Sequence, residues 1–294
     1  KEFLYMNGVH HASMMQTPEN SAKILDTELR YFSRDFEWDE IATVAGEALA
    51  KKDASVIADD RRAQIEQHNA AAWDTFYSQH EDNFFKDRHY LHTGFPDLNP
   101  AETKDKRIRL LEAGCGVGNS VFSVIRINPN IFAYAFDCSQ QAISVAKNRT
   151  DYDPQRCEFF VHDIEKDSLP SNVPQVDVIS LIFSLSAMTP SNFPLVLERL
   201  KQVLKSGGVV LLRDYGLYDL AQLRYGEGQK LAENYYVRGD GTRAFYFSKE
   251  YTIQLFQDVG FVVDLCDYCT VRTRNRLKKI NLDRVWISGR FCKP

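Results

Sequence analysis

A chain that carries Leu110-Leu-Glu-Ala-Gly-Cys-Gly-Val-Gly-Asn119 directly behind the apolar run Ile108–Ala113 has few folds open to it. Gly114, Gly116 and Gly118 let the backbone turn sharply and approach a ligand at the carboxyl end of a first strand. Such a turn suits a phosphate, a dinucleotide or S-adenosylmethionine, and alone it does not choose among them.

Beyond this turn, strand-like and helix-like segments alternate. Asn119–Ile127, Gln140–Asn148 and Phe193–Leu204 read as helices, and Lys249–Val259 reads as another behind a Ser248 cap. Ile131–Phe136, Glu158–Val161, Val176–Phe183 and Gly208–Arg213 read as strands, with Phe261–Tyr268 and Arg284–Phe291 as a closing antiparallel pair. The expectation is an α/β fold of the class I Rossmann-like type: a mostly parallel seven-stranded sheet with helices on both faces. Alternating aromatics around Asp240–Gly241 signal a hairpin inserted after the fifth strand, near 231–247.

The residues before the sheet differ. Residues 1–106 are polar with few strand-like runs, and an Ala-rich, charge-laced stretch from Asp39 to about Gln79 suggests helices interrupted near Asp53–Ser55. Ala48, Leu49, Val56, Ile57 and Ile65 would supply their apolar stripe. This divides the chain into a mainly helical region, 1–106, and a sheet domain, 107–294.

Four features narrow the ligand. Glu112 precedes the glycines, where an acid would repel a pyrophosphate but can order the loop or the cationic end of S-adenosylmethionine. The spacing is G-x-G-x-G, not the G-x-G-x-x-G of dinucleotide sites. Asp137 ends the second strand, where ribose hydroxyls would meet it. After the third strand, Asp163 can take an adenine amino group and Ile164 can pack on the ring. Leu204-Lys-Ser-Gly-Gly208 resembles the turn before strand five of class I methyltransferases.

A net charge of -4 excludes non-specific coating of nucleic acid, so any RNA contact needs local basic patches. No run approaches the ~20 apolar residues of a membrane span. The 6 cysteines are scattered, which fits a reducing compartment such as the cytoplasm. Nuclear or mitochondrial placement stays open, because the sequence begins at Lys1 and not at Met. Cys266 and Cys269 form a lone C-x-x-C on a strand, where the two side chains face opposite sides, and no metal site is expected.

From about Phe36 onward the chain resembles the methyltransferase-like enzymes that form 3-methylcytidine in tRNA anticodon loops. The resemblance rests on Trp73-Asp-Thr-Phe-Tyr77, Phe84-Phe-Lys-Asp-Arg-His89, Leu111–Asn119, Arg213-Asp-Tyr-Gly-Leu-Tyr-Asp219 and Tyr236-Val-Arg-Gly-Asp-Gly-Thr-Arg243. Glu37-Trp38, Arg284-Val-Trp286 and Cys292-Lys-Pro294 lean toward the branch acting on threonine and arginine tRNAs. Two positions depart from the family's pattern: Ser206 stands for a proline, and Phe183-Ser184-Leu185 for a commoner F-V-L.

The resemblance implies an S-adenosylmethionine-dependent tRNA methyltransferase acting at position 32 of the anticodon loop. It implies a cofactor pocket lined by Trp73, Tyr77, Gly114, Asp137, Asp163, Ile164 and Ile182, with Arg88, Glu112, Gly116, Gly118, Asn119 and Cys138 beside them. Lys86-Asp-Arg-His89 would form a lid. The cytosine N3 is a neutral lone pair, so the reaction needs alignment and charge stabilisation rather than a strong base. Asp214 is the candidate for that charge and Tyr215 for stacking on the base, with turn-capping and packing as their structural alternatives. Arg272, Arg274, Arg276, Lys278 and Lys279 are the leading phosphate contacts, with Lys86, Arg213, Arg224, Arg238 and Arg243 contributing near the active edge. The expected partners are a tRNA anticodon stem-loop and a second tRNA-binding protein such as an aminoacyl-tRNA synthetase. A small-molecule or protein methyltransferase, a non-catalytic tRNA-binding scaffold and an NAD-dependent dehydrogenase remain as competing readings.

Overall fold

An interior strand, β1 (Ile108–Ala113), has Leu110, Leu111 and Ala113 entirely enclosed, as a strand covered on both faces must be. The computed structural model describes residues 32–52, 56–80, 86–104, 106–275 and 280–294. Around β1 are β2 (Ile131–Asp137), β3 (Cys157–Val161), β4 (Val176–Ile182), β5 (Leu204–Tyr215), β9 (Val262–Asn275) and β10 (Ile280–Cys292). Their order is β3-β2-β1-β4-β5-β10-β9. The first five strands run parallel, and β10 is antiparallel to both neighbours. The expected seven-stranded sheet is therefore present, and its order reverses between β1 and β4. In open α/β sheets, ligands bind at the carboxyl edge beside such a reversal.

Among the described residues, three longer helices precede the sheet, α1 (Trp38–Lys52), α2 (Asp59–Gln67) and α3 (Asn69–His80), and short helical turns at Leu91–Gly94, Pro96–Leu98 and Pro100–Thr103 lead into β1. Of the apolar stripe expected there, Ile57 and Ile65 pack on the core, whereas Ala48 and Val56 are exposed. α1 instead buries Ala45 and leans Trp38 and Ile41 on the core. Trp38 explains why: its ring stacks between Tyr218 and Tyr268, and its Nε1 donates to the Leu217 carbonyl at 3.0 Å. The expected break near Asp53–Ser55 lies outside the described residues.

The crossover helices are α4 (Asn119–Ile127), α5 (Gln140–Lys147), α6 (Phe193–Val203) and α7 (Lys249–Asp258). Ser139 caps α5 by accepting from Ala142 N at 3.0 Å, and Ser248 caps α7 by accepting from Tyr251 N at 3.1 Å. The insertion is a three-stranded sheet, one strand richer than the expected hairpin: β6 (Lys230–Ala232), β7 (Tyr235–Val237) and β8 (Arg243–Phe245). The closing pair is also longer than its apolar alternation indicated. β5 pairs with β10 only from Tyr215–Trp286 to Val209–Cys292, while β9 and β10 stay paired out to Asn275–Ile280. A two-stranded ribbon thus runs past the end of β5 at the carboxyl edge. Among the described residues, no helix is long and apolar enough to cross a membrane.

Candidate active site

The glycine turn occupies the reversal between β1 and β4. Gly114 and Gly116 have φ of 71° and 54°, which L side chains rarely adopt. Space forbids a side chain as well: a Cβ on Gly114 would lie 2.5 Å from Ser184 Cβ, and one on Gly116 would lie 2.4 Å from Tyr77 Oη. Gly118, also at positive φ, starts α4. The bare backbone is thereby fixed as one wall of the crevice.

Carboxylates hold that wall. Asp137 accepts from Gly116 N at 2.8 Å and from Ser139 N at 2.9 Å, so it pins the glycine turn to the start of α5. Burial pushes its pKa up while those two N–H groups oppose the rise. A carboxylate has about four acceptor positions, so sites remain for hydroxyls. Cys138, beside it, is half-buried. Glu112 is enclosed and accepts from Ser180 Oγ at 3.2 Å. Burial raises its pKa to about 7, against the pull of Ser120, Arg88 and Ser180.

Further along the edge, Ile164 and Ile182 are buried. Asp163 accepts from Glu165 N at 3.1 Å and pairs with Lys166 at 3.0 Å. Above the turn lies α3, where Trp73 stacks on the buried Tyr77 at 5.8 Å. Asp74 clamps this helix to α5, accepting from Ser139 Oγ at 2.6 Å and from Gln141 N at 3.1 Å. Arg88 donates its backbone N–H to the Asn119 carbonyl at 3.2 Å, and the Asn119 side chain turns away to Arg149 at 3.3 Å. Phe84 and Phe85, which flank the expected lid, lie outside the described residues.

The opposite wall comes from the ends of β4 and β5. Phe183 has φ 56°, a strained conformation for an aromatic residue, and its ring lies 5.1 Å from that of Tyr215. The Arg88 guanidinium sits 4.6 Å over Phe183, and that of Arg238 sits 5.6 Å over Tyr215. Tyr215 is half-buried and also meets Tyr246 at 5.6 Å. Asp214 is wholly enclosed, accepting from Ser186 N and Tyr215 N, both at 2.9 Å. The structure thus gives it a turn-capping contact, with no surface left for a base. Burial raises its pKa to about 6, opposed by those hydrogen bonds and the charge of Arg238.

The basic residues divide sharply. Arg213 and Arg243 are fully buried, which corrects the expectation that they contribute surface charge. Arg213 lies 4.4 Å over Phe32 and 4.9 Å over Trp286. Arg243 donates to Tyr235 Oη at 2.7 Å and Thr189 Oγ1 at 2.8 Å and pairs with Glu165 at 3.5 Å. Arg238 is half-buried and donates to Thr242 Oγ1 and the Arg243 carbonyl. Arg272 is paired with Asp283 through two hydrogen bonds of 2.8 and 3.1 Å. Arg284 and Arg290 are likewise in ion pairs, with Asp219 and with Asp97 and Asp264. Lys86 and Arg224 are exposed. Arg274 lies on β9, while Arg276, Lys278 and Lys279 fall outside the described residues. Cys266 and Cys269 are free thiols in different hydrophobic clusters on opposite faces of β9.

Two residues escape a reading of the sequence alone. Glu165 accepts from Thr189 N at 2.7 Å and Asn192 Nδ2 at 3.1 Å besides pairing with Arg243, so it ties the adenine-side loop to the insertion. Its place two residues after Asp163 is the available signal. Phe183 stands out in the sequence only as part of a departing triplet, and no local pattern announces a left-handed aromatic residue.

Comparison with known proteins agrees with this geometry. A family model described as "Methyltransferase domain" matches residues 104–249. The human protein named tRNA N(3)-cytidine methyltransferase METTL6 is 43% identical over 257 residues, covering 86% of this chain and 90% of its own. The Danio rerio tRNA N(3)-cytidine methyltransferase METTL2 is 36% identical, with 96% and 91% covered. Among solved structures, a SAM-dependent methyltransferase from Anabaena variabilis shares the fold with a TM-score of 0.55 at 15% identity, covering 76% of this chain and 95% of that one.

Proposed function

The chain belongs to the tRNA N(3)-cytidine methyltransferase family, and on that premise we propose that it methylates N3 of a tRNA cytidine, at position 32 of the anticodon loop, using S-adenosylmethionine. One observation carries the reading. A backbone wall of positive-φ glycines faces an aromatic wall of Phe183 and Tyr215, at the carboxyl edge where the strand order reverses.

The residues fit the donor. Ile164 and Ile182 offer an apolar seat, Asp137 and Asp163 offer acceptors on the β2 and β3 side, and Trp73 and Tyr77 close over the turn. When bound, S-adenosylmethionine supplies an electrophilic methyl group on a sulfonium. Phe183 and Tyr215 hold the cytosine by stacking, which requires that the base be unpaired and turned out of its helix. Asp214 is a positioning residue, because it fixes the turn that carries Phe183 and the backbone of Tyr215. No side chain has to remove a proton from N3.

Much of the arginine content is enclosed or paired, so the surface charge free to hold RNA is smaller than the sequence suggests. That supports help from a second tRNA-binding protein, such as an aminoacyl-tRNA synthetase. Purified protein with labelled donor and fully modified threonine, arginine and serine tRNAs should yield 3-methylcytidine on nucleoside mass spectrometry. Its absence from every tRNA, with and without cell lysate, would overturn the proposal. Methylation without RNA would favour a small-molecule enzyme instead.

A further inference from the structure

We propose that the Ser184 hydroxyl binds the amino-acid end of the methyl donor, a contact that rests on the donor site proposed above. Ser184 is buried, and its Oγ has no hydrogen-bond partner. Buried hydroxyls are nearly always paired, and leaving one unpaired is costly. Ser184 precedes the short turn Leu185–Ala187, where a serine often caps, yet its side chain makes no capping bond. The turn's own N–H groups are taken otherwise: Ser186 N donates to Asp214, and Ala187 N donates to the Ser184 carbonyl.

The backbone shows where Ser184 sits. Phe183, at φ 56° and anchored by its N–H to the Arg213 carbonyl at 2.7 Å, reverses the chain as it leaves β4. The strain at Phe183 brings Ser184 against the glycine turn: a Cβ on Gly114 would lie 2.5 Å from Ser184 Cβ and 3.4 Å from Oγ. This places Ser184 across the strand-order reversal from Asp137 at the end of β2. A donor with its ribose and adenine toward β2 and β3 extends its other end toward β1 and β4. That end carries an ammonium and a carboxylate, and a hydroxyl can accept from the one or donate to the other.

Isothermal calorimetry on the full chain tests this with two probes, S-adenosylhomocysteine and 5′-methylthioadenosine, the second lacking the amino-acid end. Ser184→Ala should weaken S-adenosylhomocysteine about five- to tenfold and leave 5′-methylthioadenosine unchanged. Ser184→Cys, close in size but a weak hydrogen-bonding group, should behave in the same way. The ligand-free alanine variant should melt no lower than the parent, since no internal bond is lost. Equal binding of S-adenosylhomocysteine by variant and parent, or equal losses for both probes, would overturn the Ser184 assignment alone. A parent protein that binds neither probe would overturn the donor site itself, and this assignment with it.

Discussion

On the donor side of the crevice, Gly114, Gly116 and Asp137 work through the backbone: positive φ angles and N–H groups held by a carboxylate. On the acceptor side, Phe183, Tyr215, Arg88 and Arg238 work through rings and guanidinium groups drawn from four distant places in the chain. The donor wall is compact, a short glycine turn after β1 held by one carboxylate from the neighbouring β2, and tolerates almost no substitution. The acceptor wall is assembled by the whole fold, so its parts can be altered one at a time while the sheet persists.

The contrast is sharpest at Gly116. Gly116→Ala must place a Cβ 2.4 Å from Tyr77 Oη at a left-handed φ, so donor affinity should fall by ~100-fold or more. Tyr77→Phe removes the clash but not the backbone strain, so combining the two should restore little of the binding seen by calorimetry. If both changes together bound normally, the donor wall would be more plastic than its φ angles imply. Next, Tyr215→Ala should lower the kcat/KM for tRNA about 30-fold through lost stacking, with S-adenosylhomocysteine affinity unchanged. A loss of donor binding there would mean the two walls are not separable.

The buried acids give a smaller effect, read by pH. Glu112 and Asp214 hold protons in the folded chain up to about 7 and about 6, against ordinary values of 4.5 and 3.8. Between each ordinary and raised value the folded chain binds the proton and the unfolded chain does not. Stability from these groups therefore falls as pH rises through 4.5 to about 7 and 3.8 to about 6, with the full penalty above. Glu112→Gln should narrow the difference in melting temperature between about pH 5.5 and about pH 7.5 by about 2–4 °C. A difference that stays the same would place Glu112 in contact with water. Smallest of all, Lys86→Ala with Arg224→Ala should weaken tRNA binding about twofold to fivefold and flatten its salt dependence. No change in the salt slope would remove both residues from the RNA contact.

The same contrast governs what the sequence reveals. The strand order around β1 and the glycine turn are legible because alternation and glycine spacing are local signals. The caps at Ser139 and Ser248 belong to the same local kind, and Ser248 is readable directly. Arg213 and Arg243 mislead because a formula shows charge but not enclosure; the rings that surround Arg213 come from Phe32, Tyr90 and Trp286. Asp214 is identifiable as a residue, but its capping of the Leu185–Ala187 turn depends on two strand ends meeting. The extra strand β6 is too short to carry an alternating pattern, while the outer part of β9 does alternate, through Arg272 and Arg274, in charge rather than in apolar residues.

The ribbon that outruns β5 also acts as a ruler. Ile280 to Val285 lies beyond the last residue of the parallel sheet, an arm of roughly 20 Å at about 3.3 Å per residue. Anything gripped near its tip is held at a fixed reach from the crevice, whatever the crevice itself recognises. Trimming both strands by an even number of residues would draw that grip inward with every side chain still facing its own way, whereas an odd number would swap the two faces. Reach and facing are thus set by strand length and its parity, two properties that pocket substitutions leave untouched.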